Sequence, residues 1–261
     1  MNKISIIIPT LNSSKSIIRC LDSVFKQTYK NWEIIVVDSF SSDNTVNLIN
    51  GYRSKKIKIF YISKKMSISK ARYKGVCKAS GNYIAFLDSD DEWYSNKLEL
   101  QNKGLSKDIF FSCTHFILKN KTSELKIKTT KKILNLNDLI YDRPIALSSV
   151  LIKKQLIKKV MKQNLSINYA EDYYWWSKIL KDGKNCFVIR KFLTKIYIHE
   201  TNRSINFYQN YLSLIKIYKT IYQFSYIKII YVFFKLTLNT FSKNILKFHS
   251  FKKIWIKFDK S

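Results

Sequence analysis

The chain has 261 residues, of which 46% are hydrophobic and 15% aromatic, and its formal net charge at neutral pH is +29. This length and apolar content can bury a sizeable core, which excludes a wholly disordered chain. The charge is compatible with three kinds of partner: a nucleic acid, an anionic membrane surface or an anionic substrate. Part of the charge also follows from a bias toward lysine, isoleucine and asparagine of the kind that an AT-rich genome produces.

The cysteines and the N-terminus indicate a reduced, cytoplasmic protein. The four cysteines form no C-x-x-C pair, so they predict no zinc site, and three of them fall in patterns typical of reduced core residues. The first apolar run stops at Pro9, which makes it too short for a signal peptide. No stretch reaches about 18 uninterrupted apolar residues, the length that a membrane-spanning helix needs.

The first hundred residues alternate between short apolar runs and stretches with helical spacing. This alternation predicts an α/β fold with a mostly parallel sheet and right-handed crossovers. The predicted strands are residues 4–8, 33–37, 57–62 and 82–87. The predicted helices are residues 16–28, a helix capped by Ser42 or Asp43 that ends at Ile49, and a helix that starts at Ser67 or Ser69, contains Arg72, runs to Ala79 and is ended by Gly81.

Carboxylates follow the strand at residues 82–87 directly. Asp88, Asp90 and Asp91 fall within four positions, a pattern that by itself is equally typical of a solvated acidic turn opening the next helix. The strand at residues 33–37 also ends in an aspartate, Asp38, and ligands of open α/β sheets bind outside the carboxyl ends of the strands. Together with the loop at residues 10–13, these groups favour a nucleotide-type ligand with a divalent metal.

The second half is predicted to hold two more strands, residues 109–118 and 146–152, separated by an irregular excursion at residues 119–137. Glu171 and Asp172 open an amphipathic helix over residues 170–180, where the helix dipole alone would also favour carboxylates. From residue 201 to 258 there is no acidic residue, and the apolar segment 226–238 is interrupted by Lys228 and Lys235. This segment fits a helix on an anionic membrane surface, or a helix packed on the domain with its lysines in water.

The segments IIIPTLN, VVDSFSSDNT, SKARYKG and YIAFLDSDDEW resemble, in order and spacing, the N-terminal half of family 2 glycosyltransferases. The resemblance is strong over the first hundred residues, and weaker pieces reach about residue 205. It implies the GT-A fold, a Rossmann-like sheet flanked by helices, and inverting transfer of a sugar from a nucleotide-sugar. It also implies a catalytic domain of residues 1–204, with a nucleotide-binding half (1–104) and an acceptor half (105–204), followed by a basic helical extension (205–261).

The resemblance assigns the donor site. Pro9, Thr10 and Asn12 match the loop beside the nucleotide, and Asp38 matches the aspartate that accepts a hydrogen bond from the base, usually uracil. Residues 39–41 stand where the family often has Asp-Gly-Ser, so the backbone is expected to differ there. Arg72 matches the arginine of an A-R-N-x-G signature, here with tyrosine in place of asparagine, and is expected to pair with a phosphate or with a strand-end carboxylate.

The resemblance also assigns a metal. Asp88, Ser89 and Asp90 match the D-x-D motif, in which Asp90 would bind Mg²⁺ or Mn²⁺, Asp88 would support the ribose or the metal shell, and Ser89 would lie beside the nucleotide-sugar. A hard cation neutralises the charge that grows on the leaving diphosphate. His199 matches a histidine that is a further metal ligand in some members, and a purely structural histidine is the alternative. Asp91 and Glu92 are interpreted as exposed, and Trp93 as a packing residue.

The resemblance assigns the reaction to the second half of the chain. Asp172 matches the catalytic base and Glu171 a residue that orients the site or meets the acceptor. Arg203 and Ser204 match part of a loop that closes over phosphates. The implied acceptor is a saccharide, free or linked to a polyprenyl diphosphate, in polysaccharide, lipopolysaccharide or capsule synthesis. The enzyme would then work peripherally on the cytoplasmic face of the membrane.

Two other functions are weaker. A basic nucleic-acid-binding protein would use the charge and the aromatic residues, but it leaves the aspartates unexplained and no nucleic-acid motif is visible, so no nucleic acid is expected as partner. An enzyme that synthesises sugar nucleotides would need a glycine-rich phosphate loop near its start, whereas the first glycine is Gly51.

Overall fold

The structure is a computed structural model that describes residues 2–62, 66–106, 109–163, 169–199 and 207–242. The strands in these ranges are β1 (Ile4–Thr10), β2 (Trp32–Asp38), β3 (Ile57–Tyr61), β4 (Tyr83–Phe86), β5 (Glu92–Trp93), β6 (Phe111–Lys119), β7 (Glu124–Ile127), β8 (Ile133–Leu134), β9 (Leu151–Lys153) and β10 (Cys186–Tyr197). The helices are α1 (Ile17–Phe25), α2 (Thr45–Asn50), α3 (Ile68–Lys78), α4 (Lys97–Lys103), α5 (Lys154–Gln163), α6 (Glu171–Lys181), α7 (Phe207–Thr220) and α8 (Tyr226–Ser242). Two 3-10 turns, Leu136–Leu139 and Leu147–Ser149, lie between β8 and β9.

All described strands join one sheet, whose main order is β3-β2-β1-β4-β9-β6-β10-β5. β1, β2, β3 and β4 pair in parallel, which confirms the predicted alternation of strand and helix in the first hundred residues. Every residue of β1 and β2 is buried, as expected for strands covered on both faces. Ile6 and Ile8 pack in one hydrophobic cluster and Ile7 in the other, because successive side chains point to opposite faces of the sheet.

The residues predicted to cap or end two helices in the first half were wrong. α2 begins at Thr45 rather than beside Ser42, although the carboxylate of Asp43 does accept a hydrogen bond from the Thr45 backbone N–H at 3.0 Å. α3 ends at Lys78, three residues before Gly81. Gly81 serves a different purpose: a Cβ there would lie 2.6 Å from the Lys3 carbonyl oxygen, so only glycine allows this close approach to β1.

Two predictions for the second half were also wrong. The segment 119–137 is not irregular, since it holds β7, β8 and the first 3-10 turn. Residues 146–152 are not one strand, because Ser149 closes a local turn through hydrogen bonds from its hydroxyl and its N–H to the Ala146 carbonyl, at 2.7 and 3.0 Å. Only β9 remains extended, antiparallel to both β4 and β6.

α7 and α8 pack against the same core as the sheet. Leu214, Ile217 and Tyr218 of α7 and Ile229 and Val232 of α8 are buried in the cluster that contains α6. In the described part of the chain, no helix is both long and apolar enough to cross a membrane. The cysteines are free thiols, of which Cys20, Cys113 and Cys186 are buried and Cys77 is exposed.

Candidate functional site

The ends of β1, β2 and β4 meet at one edge of the sheet, where a cleft of about 1630 Å³ opens. The register of β1 and β2 puts Thr10 opposite Asp38. Across the cleft lies the start of α6. The predicted site residues that line the cleft are Pro9, Thr10, Asn12, Arg72, Asp88, Ser89, Asp90, Glu171, Asp172 and His199. Arg203 and Ser204 lie outside the described residues.

Asp38 is the predicted site residue that does not line the cleft. It is only 2% exposed, and its carboxylate accepts hydrogen bonds from the Thr10 hydroxyl at 3.0 Å, the Ser41 hydroxyl at 2.6 Å and the Ser41 N–H at 2.9 Å. Phe40, which stands where the family often has glycine, has φ +69°. The backbone at Phe40 is therefore left-handed, a conformation that a residue other than glycine adopts at a cost.

Arg72 joins the two sides of the cleft. Its guanidinium donates to Asp88 Oδ1 at 2.6 Å and to Glu171 Oε1 at 2.7 Å, and its side chain is only 5% exposed. Burial alone would lower the pKa of Arg72, but Asp88 and Glu171 outweigh it and raise that pKa. Of the two sequence-based expectations, pairing with a strand-end carboxylate is therefore the one observed.

The D-x-D loop is fixed from several directions. The Asp88 N–H donates to the Ser148 hydroxyl at 3.2 Å, and the hydroxyls of Ser89 and Ser13 lie 2.8 Å apart. Arg19 donates to the backbone carbonyl of Asp90 at 2.6 Å. These contacts hold the loop through its backbone and through Ser89, which leaves the carboxylate of Asp90 facing the cleft.

Asp90 is the carboxylate best suited to a cation. Burial, and then the negative charge of Asp88, raise its pKa to about 6, which means that its ionised form lacks sufficient positive charge nearby. Its Oδ2 lies 4.0 Å from Nε2 of His199. No group of three or more metal-ligating side chains occurs in the described ranges, so a cation here would need phosphate or water oxygens as well. Asp90 and His199 thus fit a divalent metal bound jointly with a diphosphate.

Asp91 is buried, so the interpretation of it as exposed was wrong. It is 3% exposed and accepts hydrogen bonds from the Ser148 hydroxyl at 2.6 Å and the Tyr197 N–H at 3.1 Å. Burial, together with Asp90 and Asp88, raises the pKa of Asp91 well above its usual value. The half-buried Glu92 instead forms an ion pair with Lys195 at 3.1 Å. Both carboxylates are thus paired with other residues of the protein.

Glu171 and Asp172 differ in what surrounds them. Glu171 is buried and paired with Arg72, whereas Asp172 is half-buried and accepts a hydrogen bond from the Tyr173 N–H at 2.8 Å. Burial raises the pKa of Asp172, and the hydrogen bond, Arg72 and Arg143 offset only part of that increase. Asp172 is therefore a carboxylate of increased basicity that faces the cleft.

Several residues of the site were not predicted from the sequence. Ser148 supports the loop at Asp88 and Asp91, and its carbonyl accepts a hydrogen bond from Trp93 Nε1 at 2.7 Å, which confirms Trp93 as a packing residue. Arg19 lies on α1 with its guanidinium 3.8 Å from the centre of the Tyr197 ring. A serine in a short turn and an arginine on an amphipathic helix give no distinctive sequence signal.

The comparisons with known proteins agree with this geometry. The model for "Glycosyl transferase family 2" matches residues 5–146. The chain is 34% identical over 195 residues to the Escherichia coli UDP-Glc:alpha-D-GlcNAc-diphosphoundecaprenol beta-1,3-glucosyltransferase WfgD, covering 72% of this chain and 76% of that protein. The fold of this chain is similar to that of S. aureus TarS 1-349, solved with UDP-GlcNAc. The TM-score is 0.69 and the identity 22%, over 82% of this chain and 65% of the TarS chain.

A second solved structure of similar fold is the mannosyltransferase PcManGT from Pyrobaculum calidifontis in complex with GDP-Man and Mn²⁺. Its TM-score is 0.61 at 16% identity, over 84% of this chain and 68% of that one. The family model covers more than half of the chain, and the mixed α/β sheet matches these GT-A neighbours. The chain therefore belongs to glycosyl transferase family 2 and is a glycosyltransferase with the GT-A fold.

Proposed function

We propose that this glycosyltransferase moves a sugar from a UDP-sugar, with inversion, to a hydroxyl of a saccharide carried on a polyprenyl diphosphate. One observation carries the proposal: Arg72 binds Asp88 on the donor side and Glu171 beside Asp172. A single buried guanidinium therefore fixes the distance between the D-x-D loop and the proposed base. Transfer needs such fixed geometry, because the acceptor hydroxyl and the leaving diphosphate lie on opposite faces of the anomeric carbon.

The donor would lie along the ends of β1, β2 and β4. Pro9, Thr10 and Asn12 would contact the nucleotide, and Asp38 would accept a hydrogen bond from its base. Asp38 already accepts three hydrogen bonds and is nearly inaccessible, so this role requires a small outward shift of the loop at residues 39–41. A UDP donor is supported by TarS, solved with UDP-GlcNAc, and by the name of the E. coli relative.

The diphosphate of the donor would bind beside Asp90 and His199, through a divalent cation. A divalent cation bound there supplies positive charge to the leaving group. Asp90 would hold that cation, Arg72 would orient Asp88, and Arg19 would keep the loop in place through the Asp90 carbonyl. Mn²⁺ in the complex of PcManGT supports the choice of metal, with Mg²⁺ the alternative.

Asp172 would act as the base. It would take the proton of the acceptor hydroxyl as the hydroxyl oxygen forms a bond to the anomeric carbon and the bond from that carbon to the diphosphate oxygen breaks. Its raised pKa suits this task, and Glu171 is less suited because Arg72 neutralises it. Glu171 would instead keep Arg72 and the start of α6 in register.

A membrane-bound acceptor is supported by the surface of α8. Ile227, Ile230 and Phe234 are between 61% and 82% exposed, and Lys228 and Lys235 flank them. These side chains would rest on an anionic membrane, which matches a substrate carried on a lipid, as in the name of the E. coli relative. The extension of residues 205–261 would then hold the domain of residues 1–204 on the surface from which its acceptor comes.

The proposed donor site can be tested by thermal stabilisation. UDP with Mn²⁺ should raise the melting temperature of the wild-type protein, and GDP should do so less. Asp90→Ala should remove the part of the shift that depends on metal, and Asp38→Ala should remove the preference for UDP over GDP. A matched control is Asp182→Ala, an exposed acidic residue at the far end of α6. Equal stabilisation by UDP with and without chelator would contradict the proposed metal.

A further inference from the structure

A short loop beside the proposed base carries an arginine whose role the transfer reaction does not explain. The loop runs from residue 140 to 146 between the two 3-10 turns and lines the cleft. Its start is fixed by α6 and α7: the Tyr173 hydroxyl donates to the Leu139 carbonyl at 2.8 Å, and the Tyr218 hydroxyl donates to the Ile140 carbonyl at 3.1 Å. Its end is fixed by Ile145, which is buried. The backbone around Arg143 is thus held while its side chain is exposed.

Arg143 differs from the other arginines of the cleft in its partners. Arg72 binds two carboxylates, and Arg19 binds the Asp90 carbonyl and lies 4.0 Å from Glu92. Arg143 forms no ion pair with any residue that the structure describes. Its guanidinium carbon lies 5.6 Å from the centre of the Tyr173 ring, next to Asp172 in sequence. A cation in this place lowers the basicity of Asp172, as the pKa of that group reflects, unless a bound anion neutralises it.

The loop also reaches the exposed face of α8. Nζ of Lys235 lies 5.0 Å from the centre of the Tyr141 ring, two residues before Arg143. The loop therefore contacts both the cleft that contains Asp172 and the helix that would rest on a membrane. A lipid-linked acceptor has a matching arrangement, since its diphosphate lies between the reacting sugar and the lipid chain.

We infer that Arg143 binds the diphosphate of the acceptor, in a second anion site separate from that of the donor. The guanidinium presents paired N–H donors that match phosphate oxygens. A diphosphate bound to Arg143 would neutralise its charge, so that Arg143 would no longer lower the basicity of Asp172. The ligand class is a sugar joined through a diphosphate to an aliphatic chain. This inference rests on the proposed function, which supplies both the base and the lipid-linked acceptor.

The test compares two acceptors that differ only in the diphosphate. One is N-acetylglucosamine joined through a diphosphate to a short alkyl chain, and the other is the same sugar joined directly to that chain. With Arg143→Ala, kcat/KM for the diphosphate acceptor should fall by about tenfold or more, while that for the neutral acceptor should stay within about twofold. Arg143→Lys should be intermediate. Arg190→Ala, an exposed arginine that does not line the cleft, should behave like the wild type.

Two outcomes separate this inference from the proposed function. If the wild type prefers the diphosphate acceptor and Arg143→Ala keeps that preference, the inference is wrong while the proposed function stands. If the wild type uses neither acceptor, N-acetylglucosamine is not the sugar that reacts, and direct binding of a lipid diphosphate tests the role of Arg143 instead. For that measurement UDP and Mn²⁺ are saturating and farnesyl diphosphate is the probe. Binding about tenfold weaker in Arg143→Ala supports the inference, and equal binding overturns it.

Discussion

At the scale of single residues, the cleft is held together by pairs that are far apart in sequence. Arg72 and Glu171 are separated by 99 positions, and no local pattern could have predicted their ion pair. The positions of Asp38 and Asp88 were predictable, because each comes at the end of a buried apolar run. The environment of Asp91 was not, since Asp91 is buried by Ser148 and by Tyr197 of β10, two partners that sequence spacing does not reveal.

The bridge of Arg72 should not tolerate lysine. A lysine carries one ammonium group, which cannot reach both Asp88 and Glu171 with the geometry of a guanidinium, so one of these two carboxylates would lose its partner. We expect Arg72→Lys to reduce the free energy of unfolding by about 2 kcal/mol and kcat by at least about tenfold. Urea unfolding and steady-state kinetics measure the two effects. Lys70→Arg, an exposed change on the same helix, is the control, and wild-type stability in Arg72→Lys would argue against the bridge.

At the scale of elements, prediction succeeded for the apolar strands and failed at turns and polar strands. β1, β2 and β4 are uniformly buried, so their apolar runs stand out in the sequence. β7 alternates between exposed and half-buried residues and contains lysine, which made it indistinguishable from a polar loop. α8 was predicted as an apolar segment, but only the structure separates its two faces: Ile229 and Val232 are buried, and Ile227, Ile230 and Phe234 are exposed.

The exposed face of α8 can be tested without disturbing the core. Replacing Ile227, Ile230 and Phe234 together with serine removes apolar area that faces solvent, so the melting temperature should change little. Binding to vesicles rich in phosphatidylglycerol should weaken by about tenfold or more, since each side chain contributes through its buried apolar area. A vesicle sedimentation assay measures this. Substitution of Leu11, Ile18 and Tyr61, which are exposed elsewhere, is the control, and unchanged vesicle binding in the α8 variant would contradict the proposed surface.

At the scale of the whole molecule, the two ends of the sheet serve different purposes. The carboxyl ends of the parallel strands carry the cleft, whereas the opposite end holds a buried acid, Glu33, at the start of β2. Glu33 accepts hydrogen bonds from the Ser5 hydroxyl at 2.7 Å, from the Ser80 N–H and hydroxyl at 2.7 Å, and from Lys58 at 2.9 Å. Burial alone would raise its pKa, but these hydrogen bonds outweigh burial and lower the pKa well below its usual range.

Glu33 should therefore link stability to pH. Because its pKa is lower in the folded than in the unfolded state, its contribution is fully present above pH of about 4.3 and is lost as the pH falls below that value. We expect this contribution to be on the order of 2–3 kcal/mol. Glu33→Gln should lower the free energy of unfolding at pH 7 and should make that free energy depend less steeply on pH between pH 4.5 and 3. Urea unfolding at a series of pH values measures both effects. An equally steep loss of stability in Glu33→Gln would mean that other carboxylates cause it.

The proposed role of Asp172 as the base of the transfer reaction is tested most directly by kcat of Asp172→Asn. The amide oxygen of asparagine can still accept the hydrogen bond from the Tyr173 N–H, so α6 should keep its start and the fold should survive. We expect kcat to fall by about 10²- to 10⁴-fold while the affinity for UDP with Mn²⁺ stays within about twofold. Turnover near that of the wild type in a folded, UDP-binding Asp172→Asn protein would contradict the assignment and make Glu171 the candidate.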